Sequence, residues 1–205
     1  MKVAILGATG RVGSNVLKKA LADGHEVTAL VRNPENIQAQ ENLKIIVGDA
    51  KDFQSIEQTI EGNEVVFSAL NTDKTTTLSQ SIVHIIHAMQ KHNIQRIVTI
   101  GTAGILTSRL EPTKLRYQSV ESRQRTQTAA KEHEIVFEKL QQTTFDWTIV
   151  CPTALLNEEE VGKYRYEVNF LPEEGRKISV LDTAAFSYDV ISNRLFWQQR
   201  VGIAY

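Results

Sequence analysis

The run Gly7-Ala8-Thr9-Gly10-Arg11-Val12-Gly13 constrains the fold more than any other segment. It follows Lys2 to Leu6, a short β-rich run that reads as a strand. It opens a stretch with apolar residues at 12, 16, 17, 20 and 21, which is helical spacing. Glycine lets the backbone turn sharply and lets a phosphate approach it closely. The following helix N-terminus offers free N–H groups and a partial positive charge to a pyrophosphate. A glycine pattern alone is weak, but strand, turn and helix in this order make a dinucleotide fingerprint. Gly7, Thr9, Gly10, Arg11, Val12 and Gly13 are the candidate contacts. The plainer alternative is a glycine turn that only packs the helix onto a sheet.

The same alternation continues along the chain. Strands are predicted at Val27 to Val31, Leu43 to Val47, Val65 to Leu70, Ile97 to Ile100 and Trp147 to Val150, the last stopped by Pro152. Helices are predicted at Phe53 to Ile60, Leu78 to His92 and a long stretch ending near Gln142, after a polar segment from Thr107 to Thr128. The first four strands are continuous apolar runs, the pattern of strands buried on both faces of a parallel sheet. The prediction is an α/β fold with a doubly wound parallel sheet. At 205 residues the chain fits a single domain, residues 1–205. Residues 153–205 are expected to form a small C-terminal cap and the final elements. There, short strands at Tyr164 to Phe170 and Lys177 to Val180 flank a turn, followed by a helix from Asp182 to Ser192 and a strand from Val201 to Tyr205.

The tip of the second strand, Leu30-Val31-Arg32-Asn33, carries no carboxylate to hold a ribose 2′-hydroxyl. Arg32 can pair with a 2′-phosphate and stack on adenine, with Arg11 as a second contact, so the expected cofactor is NADP(H) rather than NAD(H). A solvated surface arginine is the alternative. Asp49, followed by Ala50, sits where an adenine amino group would lie; it can also serve as an Asx-type cap on the next helix. Ala69, Leu70 and Asn71 end the fourth strand at the crevice where a dinucleotide crosses.

Charge and cysteine content narrow the partners. Lys plus Arg is 23 and Asp plus Glu is 24, a net charge of -1, which gives no support for nucleic-acid binding. Cys151 is the one cysteine, so no intrachain disulfide is possible and a reducing compartment is expected. The opening apolar run stops at Gly7, and no stretch approaches the ~20 apolar residues of a membrane helix. A cytoplasmic protein without membrane contact is the expectation.

GATGRVG, Leu-Val-Arg at strand two, Gly-Asp after strand three and Asp146-Trp147-Thr148-Ile149-Val150-Cys151-Pro152 together resemble the atypical short-chain dehydrogenases/reductases. The nearest subgroup is the NAD(P)H-binding proteins related to NmrA and to NADPH-dependent flavin reductase/biliverdin reductase B. The resemblance spans nearly the whole chain and implies a Rossmann-like fold and a nicotinamide cofactor. Ordinary members of the wider family place a Ser after strand five and a Tyr-x-x-x-Lys on the next helix. Here the first position is Thr102. The second is Ala129 with His133 in one register, or Gln127 with Lys131 in another. Tyr117 lies upstream with no lysine four residues on. Tyrosine-dependent ketone reduction is therefore not expected.

Flavin-reductase relatives pass hydride to a planar acceptor without such a tyrosine, the protein mainly orienting the two rings. Such relatives can carry a His after the strand-six proline, where this chain has Thr153. The resemblance implies an NADPH-dependent oxidoreductase acting on a flavin, quinone or similar small-molecule acceptor. Thr102 and His133 are the candidate catalytic residues: Thr102 is expected to orient substrate or nicotinamide, His133 and Thr153 to contact the cofactor, and all three to line a cleft above the nicotinamide; a helix-surface histidine is the alternative for His133. The rivals are a non-catalytic NADP(H)-binding redox sensor of NmrA-like type and a nucleotide-sugar isomerase or epimerase. A monomer or weak homo-oligomer is expected. Other readings are bland. His84 and His87 lack a third ligand for a metal nearby in sequence. Cys151 reads as a buried small hydrophobe. Glu158 to Glu160 read as a solvated loop, with repulsion of anionic substrates as the alternative, and Lys114, Arg116, Arg123 and Arg125 as a solvated basic face, with an acidic substrate or partner at the site mouth as the alternative.

Overall fold

The structure is a computed structural model describing residues 1–72, 75–122, 126–159 and 161–205. Strands β1 (Lys2–Leu6), β2 (Glu26–Val31), β3 (Leu43–Val47), β4 (Val65–Ser68), β5 (Arg96–Ile100) and β6 (Asp146–Pro152) alternate with helices α1 (Arg11–Ala22), α2 (Phe53–Ile60), α3 (Thr77–Lys91) and α4 (Thr128–Gln141). Beyond them lie β7 (Ala154–Leu156), β8 (Arg165–Val168), β9 (Lys177–Ser179), α5 (Val180–Ser192) and β10 (Gln199–Ala204). The main sheet runs β3-β2-β1-β4-β5-β6-β10-β8, parallel throughout except that β8 is antiparallel to β10. This is a Rossmann-like, doubly wound α/β fold.

The apolar runs work as buried strands because both faces are covered. Ala4 and Leu6 join a core with Ile56, Ile85 and Leu140 beneath α2, α3 and α4. Val3 and Ile5 point the other way, into a core with Val16, Leu17, Val190 and Ile191 beneath α1 and α5. β3 departs from the expectation. It is an edge strand, only partly covered, and Val47 is 58% exposed. β4 ends at Ser68, two residues early; Ala69 N still donates to Leu6 O at 2.9 Å, and Ala69 O lies against Gly7.

The tail does more than cap. β7 and β9 pair in a separate two-stranded ribbon, whereas β10 enters the main sheet beside β6 and α5 packs against α1. The local pattern shows a strand and a helix there but cannot say which sheet receives them. Arg96 helps fix α5. It is buried, donating from Nη1 to Asp146 O and Thr148 Oγ1, both at 2.8 Å. Its Nη2 reaches Val190 O (3.1 Å) and Leu195 O (2.8 Å) at the end of α5. The buried carboxylate of Asp182 ties down the ribbon's loop. It accepts from Val161 N (3.0 Å), Gly162 N (2.9 Å), the Ser179 hydroxyl (3.0 Å) and the Tyr205 hydroxyl.

Candidate functional site

Strand order reverses between β1 and β4, so a crevice opens at their carboxyl ends. The glycine loop fills its floor. Gly7 has φ +84°, and a Cβ there would stand 2.6 Å from Ala69 O. A Cβ on Gly13 would stand 2.1 Å from Gly7 O. Loop, helix and β4 therefore approach more closely than any side chain permits. Gly10 caps α1 with no side-chain hydrogen bond, and the first turn holds no acidic residue. Thr9, Gly10 and Arg11 are exposed above it, while Val12 and Gly13 are buried. An exposed, uncapped helix start on a glycine cradle has the donors and the space a pyrophosphate needs.

Arg32 is exposed just beyond β2, and Asn33 caps the next turn by accepting from Glu35 N at 3.0 Å. Arg11 points instead toward the tail, with Nη1 3.4 Å from both Leu155 O and Asn157 Oδ1. Asp49 is exposed beside buried Ala50. The cap reading needs correction: Asp52 caps α2, accepting from Ser55 N at 2.8 Å. Asp49 makes its own turn with Lys51 N at 2.8 Å through one oxygen. Ala69 and Leu70 are half-buried, and exposed Asn71 accepts from Thr72 N.

A cleft of about 780 Å³ opens at the carboxyl ends of β5 and β6, across the switch point from Arg32. Thr102 and Thr153 line it together with Tyr117, Arg109, Arg116 and the turn at 172–176. The Thr102 hydroxyl oxygen accepts from Gly104 N at 3.4 Å, and its proton has no acceptor among the described residues. The Thr153 hydroxyl donates to Arg176 O at 3.2 Å. His133 is not among the described lining residues. It is half-buried on α4, where burial pushes its imidazole down to about 4, so it is neutral at pH 7.

Tyr117 is the lining residue with acid–base chemistry that sequence reasoning set aside. It is buried in the wall, and its hydroxyl donates to the Glu134 carboxylate while accepting from Gln118 Nε2 at 3.1 Å. Burial, then the Glu134 bond, pushes the phenol up. Its proton is committed to Glu134, and Ala129, Lys131 and Gln127 supply no tyrosine in its stead. Arg109, Leu110 and the turn at 172–176 were also missed. Long-range pairing brings them in, including Thr107 N to Asn169 O at 2.9 Å, and no local periodicity encodes that.

The remaining candidates are engaged in packing or ion pairs, although Arg116 also lines the cleft. Phe53 stacks on His87 (4.9 Å between centroids) and tilts against His84 (5.9 Å), and no metal-holding cluster occurs among the described residues. Cys151 is fully buried, and its thiol is pushed up to about 12 by desolvation. Glu158 pairs with Lys177 at 3.1 Å, Arg116 with Glu121 at 3.4 Å, and Lys114 with Glu111. Arg123, Arg125 and Glu160 lie outside the described residues. No described helix is long and apolar enough to cross a membrane.

The sequence model of the NAD(P)H-binding family matches residues 7–194. Three solved structures superpose on the chain with a TM-score of 0.85, each across 100% of it. A Burkholderia pseudomallei protein is 29% identical and covered over 100% of its length; one from Bacteroides thetaiotaomicron is 29% identical, covered over 96%. The third, from Streptococcus pneumoniae, is 25% identical, covered over 99%. Their names, each provisional, are exported protein, epimerase and NADH-flavin reductase, respectively.

Proposed function

The chain belongs to the NAD(P)H-binding family, and from that premise we propose that it is an NADPH-dependent oxidoreductase that reduces a flavin, quinone or similar conjugated acceptor. The observation that carries the proposal is the open cleft beside Thr102 and Thr153, on the β5–β6 side of the crevice that the glycine loop floors, with Arg32 on the other side. A volume of about 780 Å³ is within the range of small-molecule sites. The provisional name of the pneumococcal structure, NADH-flavin reductase, agrees with the acceptor class, though it names the other nicotinamide cofactor.

When bound, the reduced nicotinamide supplies a hydride. The chain's own residues do the rest. The uncapped start of α1 holds the pyrophosphate, and Arg32 selects the 2′-phosphate. Thr102 offers a hydroxyl proton at the cleft floor to orient the acceptor. Tyr117 is engaged with Glu134 and His133 is neutral outside the lining, so neither delivers a proton there. An acceptor that takes its proton from water suits this site, and a simple ketone does not.

The test is NADPH oxidation with a panel of flavins, quinones and aldehydes. Thr102→Val should slow turnover about tenfold or more while NADPH affinity stays nearly constant, and Thr102→Ser should restore it. Arg32→Ala should erase a preference for NADP(H) over NAD(H) of roughly 10- to 100-fold in calorimetric titration. Tight NADPH binding with no acceptor-dependent oxidation would make the protein a sensor and end the enzyme reading.

A further inference from the structure

The cleft walls carry arginines, yet they present little net charge. Among the described lining residues, Arg109, Arg116 and Arg176 face Glu121, Glu173 and Glu174. Arg116 is paired with Glu121, and Arg109 donates to Glu167 while lying 5.0 Å over the Phe170 ring. Arg176 shares its turn with Glu173 and Glu174. Among the described residues, no uncompensated cluster of guanidinium groups lines the cleft.

The lips are apolar. Leu110 is 69% exposed and Val120 78%, more than any other large apolar side chain described, and both line the cleft. Their exposure is built in. Glu111 accepts from Val120 N at 3.0 Å, and Glu121 accepts from Arg109 N at 2.9 Å and from the Ser108 hydroxyl. Two carboxylates thus pin the loop so that both side chains project at the mouth. Leu171, Pro172 and Ala154 add further apolar surface to the lining.

We propose that the cleft takes an uncharged, lipophilic quinone with an apolar chain, the ring beside Thr102 and the chain across Leu110 and Val120. This rests on the oxidoreductase reading and narrows it. The quinone gains a hydride (two electrons and one proton) from the reduced nicotinamide and a second proton from solvent. The products are the hydroquinone and the oxidised cofactor. No side chain need supply the second proton, which accords with the commitment of Tyr117 to Glu134.

The experiment compares a benzoquinone with and without a decyl chain, and riboflavin with its phosphate ester, FMN. The decyl chain should lower KM about tenfold or more, and riboflavin should be reduced at least as well as FMN. The Leu110→Ser/Val120→Ser double variant should lose the advantage of the chain. In parallel, calorimetry follows binding of the oxidised decylquinone to the NADP⁺-loaded protein, where no hydride is available. Lip-dependent binding without any NADPH oxidation would support the ligand class and overturn the reductase reading. A tenfold preference for FMN over riboflavin, a chain advantage that survives the double variant, or no quinone binding in either assay would overturn the ligand class. So would a change in sedimentation with no change in quinone KM, which would make the lips a contact between two copies.

Discussion

Gly10 and Gly13 are three residues apart and do different work. A Cβ on Gly13 would overlap Gly7 O, so Gly13→Ala forces loop and helix apart. It should lower the melting midpoint by about 3–10 °C. A Cβ on Gly10 would come no nearer than 3.2 Å to Gly7 O, and the residue has an ordinary φ of −78°. Gly10→Val should therefore keep the fold and weaken NADPH binding by at least about tenfold, since its side chain occupies the ligand's side. Calorimetry for affinity and thermal unfolding for stability separate the two. A Gly10 variant that binds normally would make the loop merely structural. The motif shows both glycines as one pattern, and only the contact with Ala69 and Gly7 divides their roles.

Among the elements, α5 depends on a residue far from it in sequence. Arg96 is 4% exposed and supplies donors to Val190 O and Leu195 O, as well as to β6. Arg96→Met would remove four hydrogen bonds, although Val190 O keeps Leu195 N and Leu195 O keeps the Thr148 hydroxyl, and should cost about 2–4 kcal/mol in urea unfolding. A loss below about 1 kcal/mol would show that water replaces the guanidinium. In the sequence, Arg96 is merely a charge before an apolar run. The strands and helices of the first 150 residues were legible because their periodicities are local. The reach of Arg96 to α5 was not, nor was the assembly of the cleft from residues near 110, 120 and 172. The dinucleotide half of the site could be read from one contiguous motif; the acceptor half is tertiary.

For the whole molecule, acid should act in two stages. His133 titrates near 6.5 unfolded and about 4 folded, because burial disfavours its charged form. The unfolded chain thus binds the extra proton between those values, and stability falls as pH drops through that window. His133→Gln should flatten this first stage in pH-dependent urea unfolding; an unchanged slope would refute it. Burial raises the Asp182 carboxyl, but hydrogen bonds from Tyr205, Val161, Gly162 and Ser179 outweigh it and hold the group below 3.8. Its contribution is fully present above 3.8 and is lost as pH falls further, joining those of Glu57, Glu111 and Glu121, which are also held below 4.5, in the second stage. The sheet order has a consequence for biosynthesis. β8 pairs with β10 alone, and β10 lies between β8 and β6. At about 5–20 residues per second, the roughly thirty residues between them take about 2–6 s to synthesise. For that interval the nascent chain carries β8 with no neighbour and β6 with one edge bare, and the arrival of residues 199–204 ends it.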